Sequence, residues 1–188
     1  MGKFDWFWKA MGSTTERNNK KSKAVVADAH GLIGELSLLD DASLASAVAS
    51  TVRDGAIADK PRFLAGLSVA SQRTLGMTPF EVQNQAVLRL LEGDVIQMAT
   101  GEGKTLVGAM AATGFALQGK RVHLITVNNY LAARDAGWMR PLVEFFGLTV
   151  AAVTESSTRE ERVSAYRSDV IYAPVTEIGF DHLRDNQI

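Results

Sequence analysis

The stretch Met98–Thr105, MATGEGKT, decides which fold we expect for this chain. It ends in the Gly-Lys-Thr of the phosphate-binding loop GxxxxGK[ST], but a methionine stands where that pattern has its first glycine. Gly101 and Gly103 would let backbone N–H groups turn toward phosphate oxygens, and the helix that follows would add its positive dipole end. Lys104 would then reach the β- and γ-phosphates, and the Thr105 hydroxyl would bind Mg²⁺. The alternative is a glycine-rich turn that ends in Lys-Thr by chance.

The chain on both sides of the loop alternates between apolar runs and helical patterns. The apolar runs predict strands at 94–98, Arg121–Val127, Leu148–Val153 and Asp169–Pro174. The helical patterns follow these strands at Leu106–Leu117, 129–147, 156–168 and 176–186. The third helix has the spacing of a capping box, from Ser157 to Glu160. Alternation of this kind predicts an α/β fold with a doubly wound parallel sheet, in which ligands bind at the carboxyl ends of the strands.

Residues 1–23 combine basic and aromatic side chains. Six Lys or Arg residues against two acidic ones give this segment a local charge of +4. Its aromatic side chains are Phe4, Trp6, Phe7 and Trp8. Such a segment can lie in a membrane interface with its lysines toward anionic phospholipid, or its rings can pack against the domain.

Residues 24–76 form a helical preamble without a constellation of polar residues. Leucine and valine recur there at helical spacing, Asp40 or Asp41 suits an N-cap, and Pro61 suits the first turn of a further helix. Residues 77–188 hold the loop and the strand–helix alternation. We therefore expect an all-helical N-terminal extension in front of the first part of a nucleotide-binding domain.

Composition limits the class of function. The chain has a net charge of −1, 46% hydrophobic residues and no cysteine. It has no basic field that would indicate nucleic-acid binding, and neither disulfides nor thiolate metal sites can form. No apolar run approaches the ~20 residues that span a bilayer, and no secretory signal is recognisable, so we expect a cytoplasmic protein.

A second signal for a nucleotide lies upstream of the loop, in GMTPFEVQNQAV. A glutamine amide donates and accepts hydrogen bonds at once, which matches the N6/N7 edge of adenine and rejects guanine. Gln83 is our candidate for this contact, and Gln85 is a near-equal one. Phe80 beside them would pack near the base or in the core.

The loop variant and a missing acid narrow the subclass. Without its first glycine, the loop has the form found in helicase-type motors rather than in small GTPases or kinases. Thr100 is then a hydroxyl that shapes the loop, and Glu102 faces solvent or orients a neighbour. Hydrolysis with Mg²⁺ also needs an acid at the end of a later strand, and no apolar run here ends in Asp-Glu. We therefore expect an incomplete parallel sheet that lacks the Walker B residue.

Longer motifs extend the likeness to one family. TGEGKT, TVNNYLAARD and EIGFDHLRDN occur in this order, and from about residue 7 to its end the chain resembles the SecA preprotein-translocation ATPases. Ala99 and the run APVTEIGFD look more like the accessory SecA paralogue of some Gram-positive bacteria. The resemblance implies a RecA-like P-loop NTPase core, incomplete here. In it, residues 100–105 would hold the phosphates of ATP and Mg²⁺, Gln83 would contact adenine, and Arg134 would reach a phosphate.

The resemblance also implies partners and a location. The implied partners are the Sec membrane channel, unfolded preproteins and an anionic phospholipid surface on the cytoplasmic face of the cell membrane. Nucleic acid is not among them, and a homodimer is left open. The whole protein would couple ATP hydrolysis to preprotein translocation, whereas this chain alone is expected to bind adenine nucleotides weakly and to show negligible turnover.

Some alternatives stay open at this stage. Asp181, Arg184 and Asp185 lie in a motif of the same family, and either helix capping with ion pairs or a functional role would account for them. Two rival functions also remain. One is a nucleic-acid helicase ATPase, and the other is a non-catalytic module that binds nucleotide or membrane.

Overall fold

The structure, a computed structural model, describes residues 14–186 of the chain. Its helices are α1 (Thr14–Leu36), α2 (Asp41–Ala49), α3 (Lys60–Leu75), α4 (Glu81–Leu91), α5 (Lys104–Leu117), α6 (Asn129–Glu144), α7 (Arg159–Ala165) and α8 (Val175–Asp185). Its strands are β1 (Val52–Arg53), β2 (Ala56–Ile57), β3 (Val122–Thr126), β4 (Val150–Ala152) and β5 (Val170–Pro174). The aromatic residues expected at a membrane, from Phe4 to Trp8, lie outside the described residues.

The helices before the loop pack around α3. Leu36 of α1, Leu44 of α2 and Phe63 of α3 are fully buried in the core that these helices share with α5 and α6. α1 continues without a break across position 23, where a segment boundary is expected from the sequence. None of the helices within 14–186 combines the length and apolar character that crossing a bilayer requires.

Capping residues determine where these helices begin. Asp40 accepts a hydrogen bond of 2.8 Å from the Ser43 N–H, so the first of the two candidate caps is the one that α2 uses. Asp59 caps α3 in the same way, through the Arg62 N–H at 3.0 Å. Pro61 lies in the first turn of α3, as predicted.

The preamble is not entirely helical, and the prediction was wrong on this point. β1 and β2 form a short antiparallel hairpin in which Val52 lies opposite Ile57. Asp54 and Gly55 connect the two strands with φ angles of 52° and 72°. A two-residue hairpin turn of this type needs positive φ at both positions, which is why Asp-Gly is a common hairpin sequence.

A three-stranded parallel sheet follows the loop, in the order β3–β5–β4. β5 is central, because Val122 of β3 and Val150 of β4 both lie in register with Val170. Alternate residues of β5 face opposite sides, so Tyr172 joins the large core with α5 and α6, whereas Ile171 joins a smaller cluster with α7 and α8. This arrangement of parallel strands and helices confirms the predicted α/β class.

The strand predicted at 94–98 is not part of this sheet. Side chains alternate there as in a strand, since Ile96 and Met98 pack on the core while Val95 is 99% exposed. A strand also needs a neighbour that exchanges backbone hydrogen bonds with it, and among the described residues neither sheet includes this segment. The apolar run therefore predicted the alternation of buried and exposed side chains correctly, but the strand expected from it is absent from the described residues.

α7 begins one residue later than its predicted capping box. Thr158 is the N-cap: its Oγ1 accepts a hydrogen bond from the Glu161 N–H at 3.2 Å, and its N–H donates to Glu161 Oε2 at 2.7 Å. The Ser157 hydroxyl instead accepts a hydrogen bond of 3.0 Å from the Thr154 N–H. Because Ser157 belongs to the preceding turn, the expected pairing of Ser157 with Glu160 does not form.

Candidate nucleotide-binding site

The loop lies between the segment 94–98 and α5. Gly101 and Gly103 have positive φ angles of 88° and 74°, a conformation that strains an L side chain. Gly103 is also the N-cap of α5, so the unpaired N–H groups of the first helical turn follow it directly. The loop backbone therefore makes the turn that phosphate binding at a helix N-terminus needs.

Lys104, the first residue of α5, folds back over the loop. Its Nζ donates hydrogen bonds to the carbonyl oxygens of Met98 at 2.9 Å and Ala99 at 2.8 Å. The exposed Glu102 carboxylate accepts a hydrogen bond of 2.6 Å from the Ala99 N–H, so this side chain both faces solvent and orients a neighbour. An ammonium group binds a phosphate more strongly than it binds a neutral carbonyl oxygen. A phosphate can therefore displace the two carbonyl contacts of Lys104.

Gln83 connects α4 to the loop. It lies in the first turn of α4 and is 6% exposed. Its Oε1 accepts a hydrogen bond of 2.8 Å from the Phe80 N–H, and its Nε2 donates one of 2.9 Å to the carbonyl of Glu102. A Cβ added at Gly103 would come within 2.2 Å of Gln83 Nε2. The amide keeps one N–H and one lone pair that a ligand can use.

Gln85 occupies a different surface of α4. It lines a cavity with Asn19 of α1 and with Asp94 and Val95 of the segment before the loop. The structure therefore brings Gln83, and not Gln85, against Glu102 and Gly103 of the loop, which separates the two candidates that the sequence left nearly equal.

A cavity of about 300 Å³ opens beside Gln83. It is lined by the connection between α3 and α4, the first turns of α4 and α5, part of the loop and the middle of α6: Met77, Thr78, Phe80, Gln83, Gly103, Thr105, Leu106, Trp138 and Met139. Phe80 is 72% exposed and so belongs to this cavity rather than to the core. The lining is mostly apolar with a few polar groups, which is typical of small-molecule sites.

The two threonines of the loop differ in their surroundings. Thr105 is half-buried in the first turn of α5 and lines the cavity, whereas Thr100 is exposed in the turn before it. Within residues 14–186, no group of three or more His, Asp or Glu side chains could hold a metal ion. Mg²⁺ in nucleotide sites shares its octahedral shell among one or two carboxylates, phosphates and water. The Thr105 hydroxyl suits one position of that shell.

Arg134, the expected phosphate contact, lies on α6 and is bound to its neighbour. Its Nε donates a hydrogen bond of 2.8 Å to Asp135 Oδ1, and its guanidinium lies 5.7 Å from the centre of the Tyr130 ring. The hydrogen bond to Asp135 raises the pKa of Arg134. Arg134 is not among the described residues that line the cavity, but Trp138, one turn further along α6, is.

A second polar assembly joins α7 to α8, and we call it the ion-pair network. It consists of Arg162, Tyr166, Glu177 and Asp181. Arg162 contacts Glu177 Oε2 at 2.7 Å and Asp181 Oδ2 at 2.8 Å, and the Tyr166 hydroxyl donates a hydrogen bond of 2.8 Å to Asp181. Burial lowers the pKa of Arg162, but its hydrogen bonds to the two carboxylates outweigh that effect and raise it.

The network also holds the turn before α7. Arg162 donates from Nη2 to the carbonyl of Thr154 at 2.7 Å and from Nε to the carbonyl of Ser157 at 3.1 Å. Arg184, which is mostly exposed, adds a contact of 3.1 Å to Asp181. For Asp181 and Arg184, these contacts favour the structural role over the functional one.

The sequence analysis did not identify Trp138 of the cavity or Arg162 of the ion-pair network. Trp138 follows Arg134 by four positions, so both lie on one face of α6, and this spacing was the available signal. Arg162 gave no such signal, because its partners lie 15 and 19 positions away on another helix.

Comparison with known proteins identifies the family. The family model described as SecA DEAD-like domain matches residues 7–188. A Corynebacterium efficiens protein named protein translocase subunit SecA 2 is 61% identical over 188 residues, which are 100% of this chain and 25% of that protein. The SecA 3 subunit of Mycolicibacterium vanbaalenii is 50% identical over 184 residues, 97% of this chain and 23% of that protein.

A Mycobacterium avium protein named protein translocase subunit SecA is also 50% identical over 184 residues, 97% of this chain and 24% of that protein. The chain thus spans about a quarter of the length of the curated relatives it matches. The resemblance seen in the three sequence motifs is confirmed, and relatives named SecA 2 fit the expected accessory paralogue. Because the family model covers nearly all of it, this chain belongs to the SecA DEAD-like domain family.

Proposed function

We propose that this chain binds adenine nucleotides, with the phosphates on residues 100–105 and the base at Gln83. The observation that carries the proposal is the contact between α4 and the loop. Lys104 holds only carbonyl oxygens that an anion can replace, and the buried amide of Gln83 bonds to the loop itself. A phosphate bound to the loop would therefore place the rest of a nucleotide beside that amide. ATP is the expected ligand, with Mg²⁺ bound partly by Thr105.

Arg134 is proposed to reach a phosphate after leaving Asp135. Its side chain is 42% exposed and can change rotamer, but the Asp135 side chain is only 12% exposed, so the new phosphate contact must outweigh the cost of separating that carboxylate from Arg134. When a nucleotide is bound, the phosphate would replace the Asp135 carboxylate as the anionic partner of the guanidinium.

For the whole protein we propose ATP hydrolysis coupled to the movement of preproteins through the Sec membrane channel. The proposal is supported by membership of the family and by relatives that are named protein translocase subunits. A cytoplasmic protein that binds the cytoplasmic face of the membrane, with anionic phospholipid as one partner, fits this activity. Robust RNA-stimulated ATP hydrolysis without stimulation by lipid or channel would instead favour a helicase.

Nucleotide binding is tested by calorimetric titration of the 188-residue chain with ADP and ATP in the presence of Mg²⁺. We expect weak binding that falls at least about ten-fold in Lys104→Ala, because the charged partner of the phosphates is lost. Lys120→Ala is the matched control, since Lys120 is an exposed lysine beyond the far end of α5. Equal affinities in all three proteins, or no binding by the unaltered chain, would contradict the proposal.

Measurement of phosphate release by the same chain tests the expectation that it binds ATP without hydrolysing it. We expect negligible turnover, because the described residues provide no acidic cluster for a metal ion. Robust turnover that is lost in Lys104→Ala would show that a catalytic acid was overlooked in this chain.

Membrane binding is tested separately by sedimentation with vesicles that contain anionic phospholipid. Removal of residues 1–13 is preferable to removal of 1–23, because the longer deletion would cut into α1, which packs on α3. Binding that disappears with residues 1–13 would support the amphipathic interpretation of that segment, and equal sedimentation of both chains would contradict it.

A further inference from the structure

Trp138 places a large aromatic ring at the cavity beside the loop. It projects from the middle of α6 and is 50% exposed, although its neighbour Met139 is buried in the core. An indole ring left half in water loses much of the free energy that its burial would provide. Phe80, at the same cavity, is exposed to an even greater extent. Both rings therefore offer uncovered apolar surface at this cavity.

We propose that Trp138 binds the base of the nucleotide by stacking its indole against the purine ring. The inference rests on the proposed function and adds a residue to it. Gln83 would read the polar edge of the base, whereas Trp138 would supply contact area to its face. The phosphates would be held by the loop itself.

The size and chemistry of the cavity favour this assignment. A volume of about 300 Å³ lies at the lower end of the range for ligand sites and suits one base rather than a whole nucleotide. Thr105 and Gly103 of the loop belong to the same lining as Trp138. A ligand anchored on the loop therefore borders a cavity that this ring helps to line.

The experiment compares ADP with inorganic pyrophosphate, which has phosphates but no base. Both ligands are titrated calorimetrically into the unaltered chain and into Trp138→Ala, Trp138→Phe and Lys104→Ala. Trp138→Ala should weaken ADP binding roughly ten-fold, as expected for loss of one base–aromatic stack, and leave pyrophosphate binding unchanged. Trp138→Phe should restore most of the ADP affinity. Lys104→Ala should weaken both ligands.

Fluorescence gives a second readout that a purely structural role would not affect. The chain has three tryptophans, Trp6, Trp8 and Trp138, so replacing the first two by phenylalanine leaves Trp138 as the only reporter. ADP should quench its emission by stacking, and pyrophosphate should not. Phe180→Ala is the matched control for Trp138→Ala and should leave ADP binding unchanged. Phe180 is a 55% exposed aromatic residue on α8, outside the cavity lining.

The outcomes separate this inference from the proposed function. ADP binding that depends on Lys104 but is the same in Trp138→Ala, without quenching, would overturn the role of Trp138 alone. Equal weakening of ADP and pyrophosphate in Trp138→Ala would also overturn it, because the defect would then lie in the loop. Failure of the unaltered chain to bind either ligand would overturn both proposals.

Discussion

The loop and the ion-pair network are both built from charged side chains, but they are held in opposite ways. In the network, the side chains of Arg162, Glu177 and Asp181 are only 10–11% exposed, and each charge has a charged partner. In the loop, Lys104 and Glu102 are exposed and bond to backbone atoms within a few residues. Buried charges cannot lose a partner without a large cost, whereas exposed ones exchange partners readily. The network is therefore suited to stability and the loop to binding.

The largest expected effect comes from breaking the network. Arg162→Met leaves Glu177 and Asp181 as buried carboxylates without their main partner, so we expect the free energy of unfolding to fall by about 3–5 kcal/mol. Urea denaturation followed by circular dichroism measures it. Arg159→Met is the matched control, because Arg159 is an exposed arginine on the same helix. A loss below about 1 kcal/mol, as for a surface pair, would contradict the comparison.

Gly103 is the loop position where a substitution should cost most, because a steric contact there adds to the backbone strain that Gly101 shares. Gly103→Ala places a side chain at a φ of 74° and brings a Cβ within 2.2 Å of Gln83 Nε2. We expect a loss of about 2–3 kcal/mol, of which about 1–2 kcal/mol is backbone strain. Thermal or urea unfolding measures the change.

Two further variants separate the causes at this position. Gly119→Ala has a similar φ of 80° but open space around its Cβ, so it should show the backbone strain alone. Combining Gly103→Ala with Gln83→Ala should remove the steric part, which gives a non-additive double-mutant cycle. Additive losses of unfolding free energy in the cycle, or equal losses at Gly103 and Gly119, would show that Gln83 causes no steric conflict with a side chain at position 103.

Asp169 is a carboxylate that is less buried than those of the ion-pair network and is held by hydrogen bonds instead of an ion pair. The Thr149 hydroxyl and the Thr149 backbone N–H each donate a hydrogen bond of 2.7 Å to Asp169 Oδ2. Both bonds lower the pKa of the Asp169 carboxyl, and the bond from the hydroxyl has the larger effect. A pKa that is lower in the folded state than in the unfolded state stabilises the fold above the unfolded pKa. That stabilisation is lost as the pH falls through the folded pKa.

We therefore expect Asp169→Asn to lower the free energy of unfolding by about 1 kcal/mol near pH 7, and this difference to shrink below about pH 4. Urea titrations of both proteins at neutral and acidic pH measure the two values. A difference that stays constant over this range would mean that the charge of Asp169 contributes nothing.

The smallest effect on stability is expected at Lys104. Lys104→Ala removes two exposed hydrogen bonds, so the free energy of unfolding should change by no more than about 0.5 kcal/mol. The same denaturation experiment, run beside the binding titration, checks it. Marked destabilisation would show that the lysine is structural in the ligand-free loop and would remove the contrast with Arg162.

Local patterns predicted most of the fold. The glycines and Lys104 mark the start of α5, Pro61 marks the start of α3, and three of the four apolar runs became the strands of the parallel sheet. These features depend on a residue's own backbone preferences or on a short periodicity, which a sequence displays directly.

The remaining features depend on partners that are distant in the chain or on competition between neighbours. Within 14–186, the segment 94–98 has the alternation of a strand but no neighbouring strand. Ser157 lost its capping role to Thr158 because the Thr154 N–H already occupies the Ser157 hydroxyl. For the site, the sequence predicted the loop and Gln83, whereas the position of Trp138 required the packing of α6 against the loop. The roles of the loop residues and Arg134 in nucleotide binding stay predictions.

The strand order has a consequence for how the chain folds during its synthesis. β3 and β4 each bond to β5 and not to each other, yet β5 is the last of the three to be made. None of the hydrogen bonds of this sheet can therefore form until Val170–Pro174 has emerged from the ribosome. Until then, the apolar faces of β3 and β4 have no sheet to join, which prolongs the time in which the nascent chain can aggregate or bind a chaperone.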